Sequence, residues 1–264
     1  MKTTLKILSL IVFISGCKSE EIITPEDIYV EYTVAQAEIR ANEIFPEVRF
    51  TKTLPLDVTY DIKKAELTDV TAYIVKNEIQ VIPLIYTSNG LYKPKYEVNV
   101  QEGETYELYA DYHGKFIYSK TLVPYAPNVT RTHYNSNNFT LNADIVTKAD
   151  EVYGALWVIS GLPPDSAKDF YSITKSTYQL GTEISISTAP LPDKYHGQLY
   201  SDRRFIKIFS FDKSFRDYFY SRNSGQEVND PFIQGGGLVD WNVQGDKVIG
   251  MFIGLNSGNV MQVN

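Results

Sequence analysis

Sulfur and imidazole are scarce in this chain. A single cysteine, Cys17, stands among 264 residues, so no internal disulfide can form and no CxxC or Cys/His zinc site is present. The three histidines, His113, His133 and His196, lie far apart, without the i, i+4 pairing or His–carboxylate cluster that a metal site needs. No G-x-S-x-G occurs, which removes the nucleophile-elbow serine. Gly235-Gly236-Gly237 leads into Leu238-Val239-Asp240-Trp241 and not into the Lys and Ser/Thr that complete a phosphate cradle, so it reads as a turn before a strand. Positive charge is short as well. Lys and Arg number 25 against 32 Asp and Glu, a net −7. Removing residues 1–16 takes away Lys2 and Lys6 and no acid, giving −7 − 2 = −9 for the remainder. That balance argues against a nucleic-acid partner and against electrostatic attraction to anionic lipid. Long apolar runs are missing too. Ile7 to Ile14 is too short to cross roughly 30 Å of hydrocarbon as a helix.

That short run carries information through its neighbours. Lys2 and Lys6 precede it, and Ser15, Gly16 and Cys17 follow. A basic start, an apolar core and small residues are the parts of a signal peptide, and Ile14-Ser15-Gly16-Cys17 resembles a bacterial lipobox. The resemblance implies cleavage before a diacylglyceryl-modified Cys17, which becomes the lipidated N-terminus. Multiple acyl chains, at about 0.8 kcal/mol per buried methylene, make a stable anchor. Residues 1–16 are thus read as a lipoprotein signal peptide and 17–26 as an acidic tether. Lys18-Ser19-Glu20-Glu21 resembles the export signal of surface lipoproteins in Bacteroidota, so an outer-membrane lipid anchor facing the cell surface is expected.

The body is rich in rings, with 20 Tyr and 13 Phe, and aromatic side chains fit the half-buried pleat of a sheet. Period-two alternation recurs. Ile28, Val30, Tyr32 and Val34 form one predicted inward face, Val48, Phe50 and Leu54 a second, and Leu67, Val70, Ala72 and Ile74 a third. Ile79 to Tyr86 is almost continuously apolar and predicts a strand buried on both sides, with an edge or bulge at Pro83. Ser88-Asn89-Gly90 and Glu102-Gly103-Glu104 are turns, and His113-Gly114 joins Tyr106–Tyr112 to Phe116–Tyr118 in a tight hairpin. About seven short strands in a hundred residues predict an immunoglobulin-like or transthyretin-like β-sandwich domain over 27–123. Residues 124–138, with their prolines and polar cluster, read as a connection. Residues 139–264 read as a second β-rich domain, with strands at 139–145, around Trp157, at 183–187, 205–209 and 247–255. One short helix is predicted after an Asp212 cap, with Phe215, Tyr218 and Phe219 on its stripe and Gly225 past its end. The expected fold class is therefore mainly β.

Several phrases resemble a family of Bacteroidota outer-membrane lipoproteins, domain-of-unknown-function family 4249. They are Thr51-Lys52-Thr53-Leu54-Pro55, Gly103-Glu104-Thr105-Tyr106-Glu107-Leu108, Asp230-Pro231-Phe232, Asn242-Val243-Gln244-Gly245 and Gly250-Met251-Phe252. The resemblance implies a cell-envelope location, an N-terminal sandwich and company with a TonB-dependent transporter. It supplies no catalytic residues, and Gly245-Asp246 departs from the paired glycines of the family's closing phrase.

No catalytic or cofactor site is expected. Asp144, Asp150 and Glu151 near Trp157 are a conceivable carboxylate cluster, with a solvated strand end as the plainer reading. Asp165-Ser166-Ala167 resembles a bacterial O-glycosylation sequon. Tyr and Trp combine apolar faces with a polar handle and so anchor interfaces and stack on sugars. Tyr218, Tyr220 and Trp241 are the candidate partner or ligand contacts, whereas Trp157, Phe215 and Phe219 are expected in the core. The leading expectation is a non-enzymatic envelope accessory protein, and the alternative is a surface glycan binder.

Overall fold

The computed structural model describes residues 29–159, 172–174, 176–191, 193, 204–222 and 239–263. Cys17 with its leader and tether, the 165–167 sequon, His196, Gly225, the 230–232 phrase and the triple glycine lie outside the described residues.

The chain is mainly β, as its alternation predicts. In order it runs β1 (Thr33–Arg40), β2 (Val48–Lys52), α1 (Ile62–Ala65), β3 (Thr71–Lys76), β4 (Gln80–Ser88), β5 (Leu91–Pro94), β6 (Thr105–Tyr112) and β7 (Lys115–Leu122). There follow β8 (Asn128–Asn135), β9 (Thr140–Val146), β10 (Glu151–Ile159), β11 (Ser172–Ile173), β12 (Glu183–Ser187), β13 (Arg204–Asp212), α2 (Ser214–Arg222), β14 (Val248–Ser257) and β15 (Met261–Gln262). One long sheet has the order β11-β10-β13-β14-β1-β2-β5-β4-β3-β6-β7, with β15 paired to β13, and a smaller sheet has the order β12-β9-β8.

The long sheet folds over on itself. Ala35 and Ile39 of β1, Val48 and Phe50 of β2, Tyr92 of β5 and Phe252 of β14 share one core with Ala72, Ile74, Tyr106, Leu108 and Ile117 from β3, β6 and β7. A second core joins Leu141, Ala143 and Ile145 of β9 and Ile186 of β12 to Tyr153, Ala155 and Trp157 of β10 and to Ile206 and Ile208 of β13. The hairpin at His113-Gly114 forms as predicted, with both residues at positive φ (52° and 81°), the backbone that a two-residue turn requires. Asp212 acts at the start of α2, where its carboxylate accepts from the Ser214 N–H at 2.9 Å.

Several readings need correction. The inward face of β1 is Thr33, Ala35 and Ile39, not Val30, Tyr32 and Val34, because the paired strand begins only at Thr33; Val30 and Tyr32 precede it and are exposed. β4 is not buried on both sides. Ile82 and Leu84 point inward while Val81, Pro83 and Ile85 face out. Pro83 is nevertheless interior to the sheet. Lys95, just past the end of β5, donates to its carbonyl at 2.9 Å, and an antiparallel residue points N–H and C=O the same way. Its missing N–H therefore faces Lys95 at the very end of the pairing with β5, and the ladder to β3 is untouched. Residues 124–138 hold the eight-residue strand β8, so they are more than a connection. Finally, β14 pairs in parallel with β1 over eight residue pairs, Thr33↔Val248 to Arg40↔Leu255. The last long strand thus completes the N-terminal core. Helices number two among the described residues, the extra one being α1, whose Asp61 cap accepts from the Lys63 N–H at 2.9 Å.

Candidate aromatic contact surface

The outward phase of β3, β6 and β7 carries rings where a solvated sheet would carry polar residues. The ladder sets Tyr73 opposite both Pro83 and Tyr109, and Tyr109 opposite Tyr118, so one row crosses four strands. Tyr73 and Tyr109 are stacked, with centroids 5.2 Å apart and planes 10° apart. Tyr118 tilts against Tyr109 at 5.1 Å, and Phe116 lies 6.2 Å from it. Such cross-strand ring pairs stabilise a sheet by about 0.5–1.5 kcal/mol each beyond area burial.

Beneath the rings lies a carboxylate. Glu107 is only 6% exposed although it points outward, because the rings and an ammonium cover it. It accepts from the Tyr109 hydroxyl at 2.7 Å, the Tyr118 hydroxyl at 3.3 Å and Lys120 Nζ at 2.8 Å. Lys120, first among these, holds the Glu107 carboxyl below its usual range. The bond to Glu107 in turn pushes the Tyr109 phenol up to about 12. The Tyr109 and Tyr118 hydroxyls are therefore committed and those two rings fixed. Around this centre Phe116 is 57% exposed, Val81 54%, Ile85 46% and Tyr73 37%. Contiguous apolar exposure on a rigid sheet marks an interaction surface more strongly than scattered single residues do.

The sequence-predicted contacts are partly brought together. Trp241 and Tyr218 meet with centroids 5.5 Å apart, both half-buried. Their positions are fixed from both sides: Ser221 of α2 accepts from the Asp240 N–H at 2.8 Å, and Asn242 exchanges two bonds with the Phe252 backbone, at 2.6 and 2.8 Å. Tyr220 does not join them. Its hydroxyl donates to the Ile173 carbonyl at 2.6 Å and its ring packs on the cluster of Val152, Ile173, Phe211 and Leu255. Trp157 is fully buried, and Phe215 and Phe219 pack on that same cluster.

The carboxylates near Trp157 do not converge. Asp144 lies on β9 opposite Ser185, and Asp150 is an exposed turn residue at positive φ, 3.7 Å from Lys213. Glu151 is buried, accepting from the Tyr153 hydroxyl at 2.8 Å and the Tyr125 N–H at 3.1 Å. Among the described residues no three His, Cys, Asp or Glu side chains gather as a metal site.

Burial is the largest influence on Glu151 and lifts its carboxyl above the ordinary 4.5, against those two hydrogen bonds. The folded state thus binds this proton more tightly than the unfolded chain does. The associated stability is fully present below 4.5 and is lost as pH rises through the raised folded value. Glu151→Gln, measured by urea unfolding at a series of pH values, is expected to flatten this slope relative to wild type from 4.5 upward. An unchanged slope would remove Glu151 as its source.

No family model matches the chain, and no curated protein matches it. Among solved structures, one chain from a "Cytokine receptor complex - Crystal form 2" aligns at 11% identity and TM-score 0.26, covering 70% of this chain and 92% of its own.

Proposed function

We propose that this chain is a non-catalytic, lipid-anchored cell-envelope protein that docks a protein partner on the outer aromatic face of β4, β3, β6 and β7. The anchor is Cys17, the setting is the outer membrane facing the cell surface, and the partner is a TonB-dependent transporter. The lipobox-like start supports the anchor. The observation that carries the docking reading is the ring row Tyr73–Tyr109–Tyr118 with Phe116, in which Glu107 holds Tyr109 and Tyr118 and the exposed Tyr73 and Phe116 pack against Tyr109. Rings already held in place lose little side-chain freedom on binding, so more of their buried area appears as affinity. The stacking also favours protein over sugar. Tyr73 and Tyr109 turn their faces toward each other and offer edges outward, whereas a sugar needs an open ring face.

A pull-down from detergent-solubilised membranes tests this reading. Wild type should retain the transporter, and Tyr73→Asp with Phe116→Asp should retain roughly tenfold less, the equivalent of about 1.4 kcal/mol. Recovery of the wild-type protein alone would count against docking. The half-buried Trp241–Tyr218 pair supports the second reading, a glycan binder. Glycan-array binding that disappears in Trp241→Ala would favour it, and the absence of any glycan signal would retire it.

A further inference from the structure

The strand pair β1–β2 ends in a loop that exposes two large apolar side chains close to where the chain leaves its tether. The chain departs from β2 and returns through a bridge between Thr51 and Glu66, with the Leu67 N–H donating to the Phe50 carbonyl at 3.2 Å. The excursion between has closed ends, like the compact Ω-loops that often carry function. It is ordered from within: Pro55 accepts from the Val58 N–H at 3.1 Å, and the Asp61-capped α1 buries Ala65 completely. Among its exposed side chains, which include Asp57, Thr59, Asp61, Lys63 and Lys64, two are large and apolar, Leu56 being 95% exposed and Tyr60 67%. The residues that follow the tether are tied to the base of this loop. Thr53 N–H donates to the Tyr32 carbonyl and Tyr32 N–H to Thr53 Oγ1, each at 2.9 Å, and the Tyr29 hydroxyl donates to the Thr53 carbonyl. Tyr29, Val30 and Tyr32 are themselves exposed.

We infer that this end of the molecule, led by Leu56 and Tyr60, rests in the interfacial layer of the bilayer that holds the lipid anchor. The inference rests on the lipidation of Cys17 proposed above. Twelve residue steps separate Cys17 from Tyr29, a span of at most about 40 Å whatever its conformation. The tether therefore keeps this surface within reach of lipid and makes even a weak contact intramolecular, at high effective concentration. Leucine and tyrosine suit that layer, one entering the acyl boundary and the other keeping its hydroxyl among the headgroups. The flanking charges are mixed: Asp57 and Asp61 beside Lys63 and Lys64, and Lys52 paired to Glu31 at 3.1 Å. Binding is thus driven by apolar burial and is insensitive both to anionic lipid and to salt.

The test uses the full chain purified from membranes, carrying Leu56→Cys labelled with an environment-sensitive fluorophore and reconstituted into phosphatidylcholine vesicles. Acylation occupies the Cys17 sulfur, so the introduced thiol takes up a single label. The expected result is a blue-shifted emission that is quenched by shallow doxyl lipids and unchanged by added salt or phosphatidylglycerol. The same label on Asn137→Cys, an exposed residue of the β8–β9 turn, should stay aqueous. A protein that floats with the vesicles while its position-56 label behaves like that at 137 overturns the loop contact and leaves the anchor standing. A blue shift without lipid quenching means that a second copy covers the loop, and also overturns it. Two labels per chain with no flotation overturns both the contact and the anchor.

Discussion

Trp157→Ala is expected to lower the melting temperature by roughly 10 °C, through a loss of about 3–5 kcal/mol. The indole is completely buried between the small sheet and the long one, and its Nε1–H donates to the Ala189 carbonyl at 3.0 Å. It lies opposite Ile206 in the β10–β13 ladder and shares its core with Leu141, Ala143, Ile145, Ile186 and Leu191. Truncation leaves a ring-sized cavity lined by strands that their ladders hold in place, so little of it can collapse. Trp157→Phe keeps most of the volume and loses the hydrogen bond, and should cost closer to about 1 kcal/mol plus a modest packing term. Scanning calorimetry separates the two variants. The chain has two tryptophans, so Trp157→Ala leaves Trp241 as the remaining indole. Emission from Trp241 that is unchanged below the transition would show the damage confined to the core around β10. Equal melting temperatures for the Phe and Ala variants would mean that this core is not packed as described.

Trp157 is legible as a core residue because it sits within an apolar run, Tyr153 to Ile159. Period-two alternation locates Val48, Phe50, Ala72 and Ile74, all buried. It failed at β1, where two phases competed. Val30 and Tyr32 precede the paired strand, and the inward set is Thr33, Ala35 and Ile39. Where β1 begins is set by its pairing with β2 and β14 from Thr33 onward, and β14 lies more than two hundred residues away in the chain. Local pattern cannot carry such information. β4 failed for a related reason. Val81, Pro83 and Ile85 extend the aromatic face into solvent, so an apolar run that looks doubly buried is buried on one face only.

The candidate surface was therefore missed where the outward phase of a strand was assumed to be solvated. A signal was present. Tyr73 with Val75, Glu107 with Tyr109, and Phe116 with Tyr118 each repeat at a spacing of two on the face opposite the core. Reading both phases of every strand would have exposed the row, although not its cross-strand alignment, which depends on register. Tyr218 and Trp241, by contrast, stand out in the sequence by residue type, and Trp241 also by its Gly-flanked loop. Their meeting follows from Asn242, whose two bonds to Phe252 fix the Trp241 segment against β14.

That strand is also the site of the second large effect. Gly250→Ala is expected to cost about 3 kcal/mol or more, enough to prevent folded protein from accumulating if the chain has an ordinary stability margin. Gly250 has a φ of 143°, and it stands opposite Ala35 in the parallel pair. A Cβ there would lie 1.9 Å from the Ala35 carbonyl oxygen and within 3 Å of two further Ala35 backbone atoms. No rotamer change relieves a clash between a Cβ and a backbone, so β14 has to move off β1, and with it Phe252, which the N-terminal core needs. Gly114→Ala provides the scale. Gly114 also has positive φ, at 81°, but nothing lies within 4 Å of its added Cβ. Only the backbone preference is then lost, about 1 kcal/mol. Soluble yield and hydrogen exchange read the difference: in Gly250→Ala, protection should fall first along Thr33–Arg40, while the β3–β6 amides hold longer. Equal costs for the two alanines would mean that β14 does not approach β1 this closely, and the closure of the N-terminal core by the C-terminal strand would have to be abandoned.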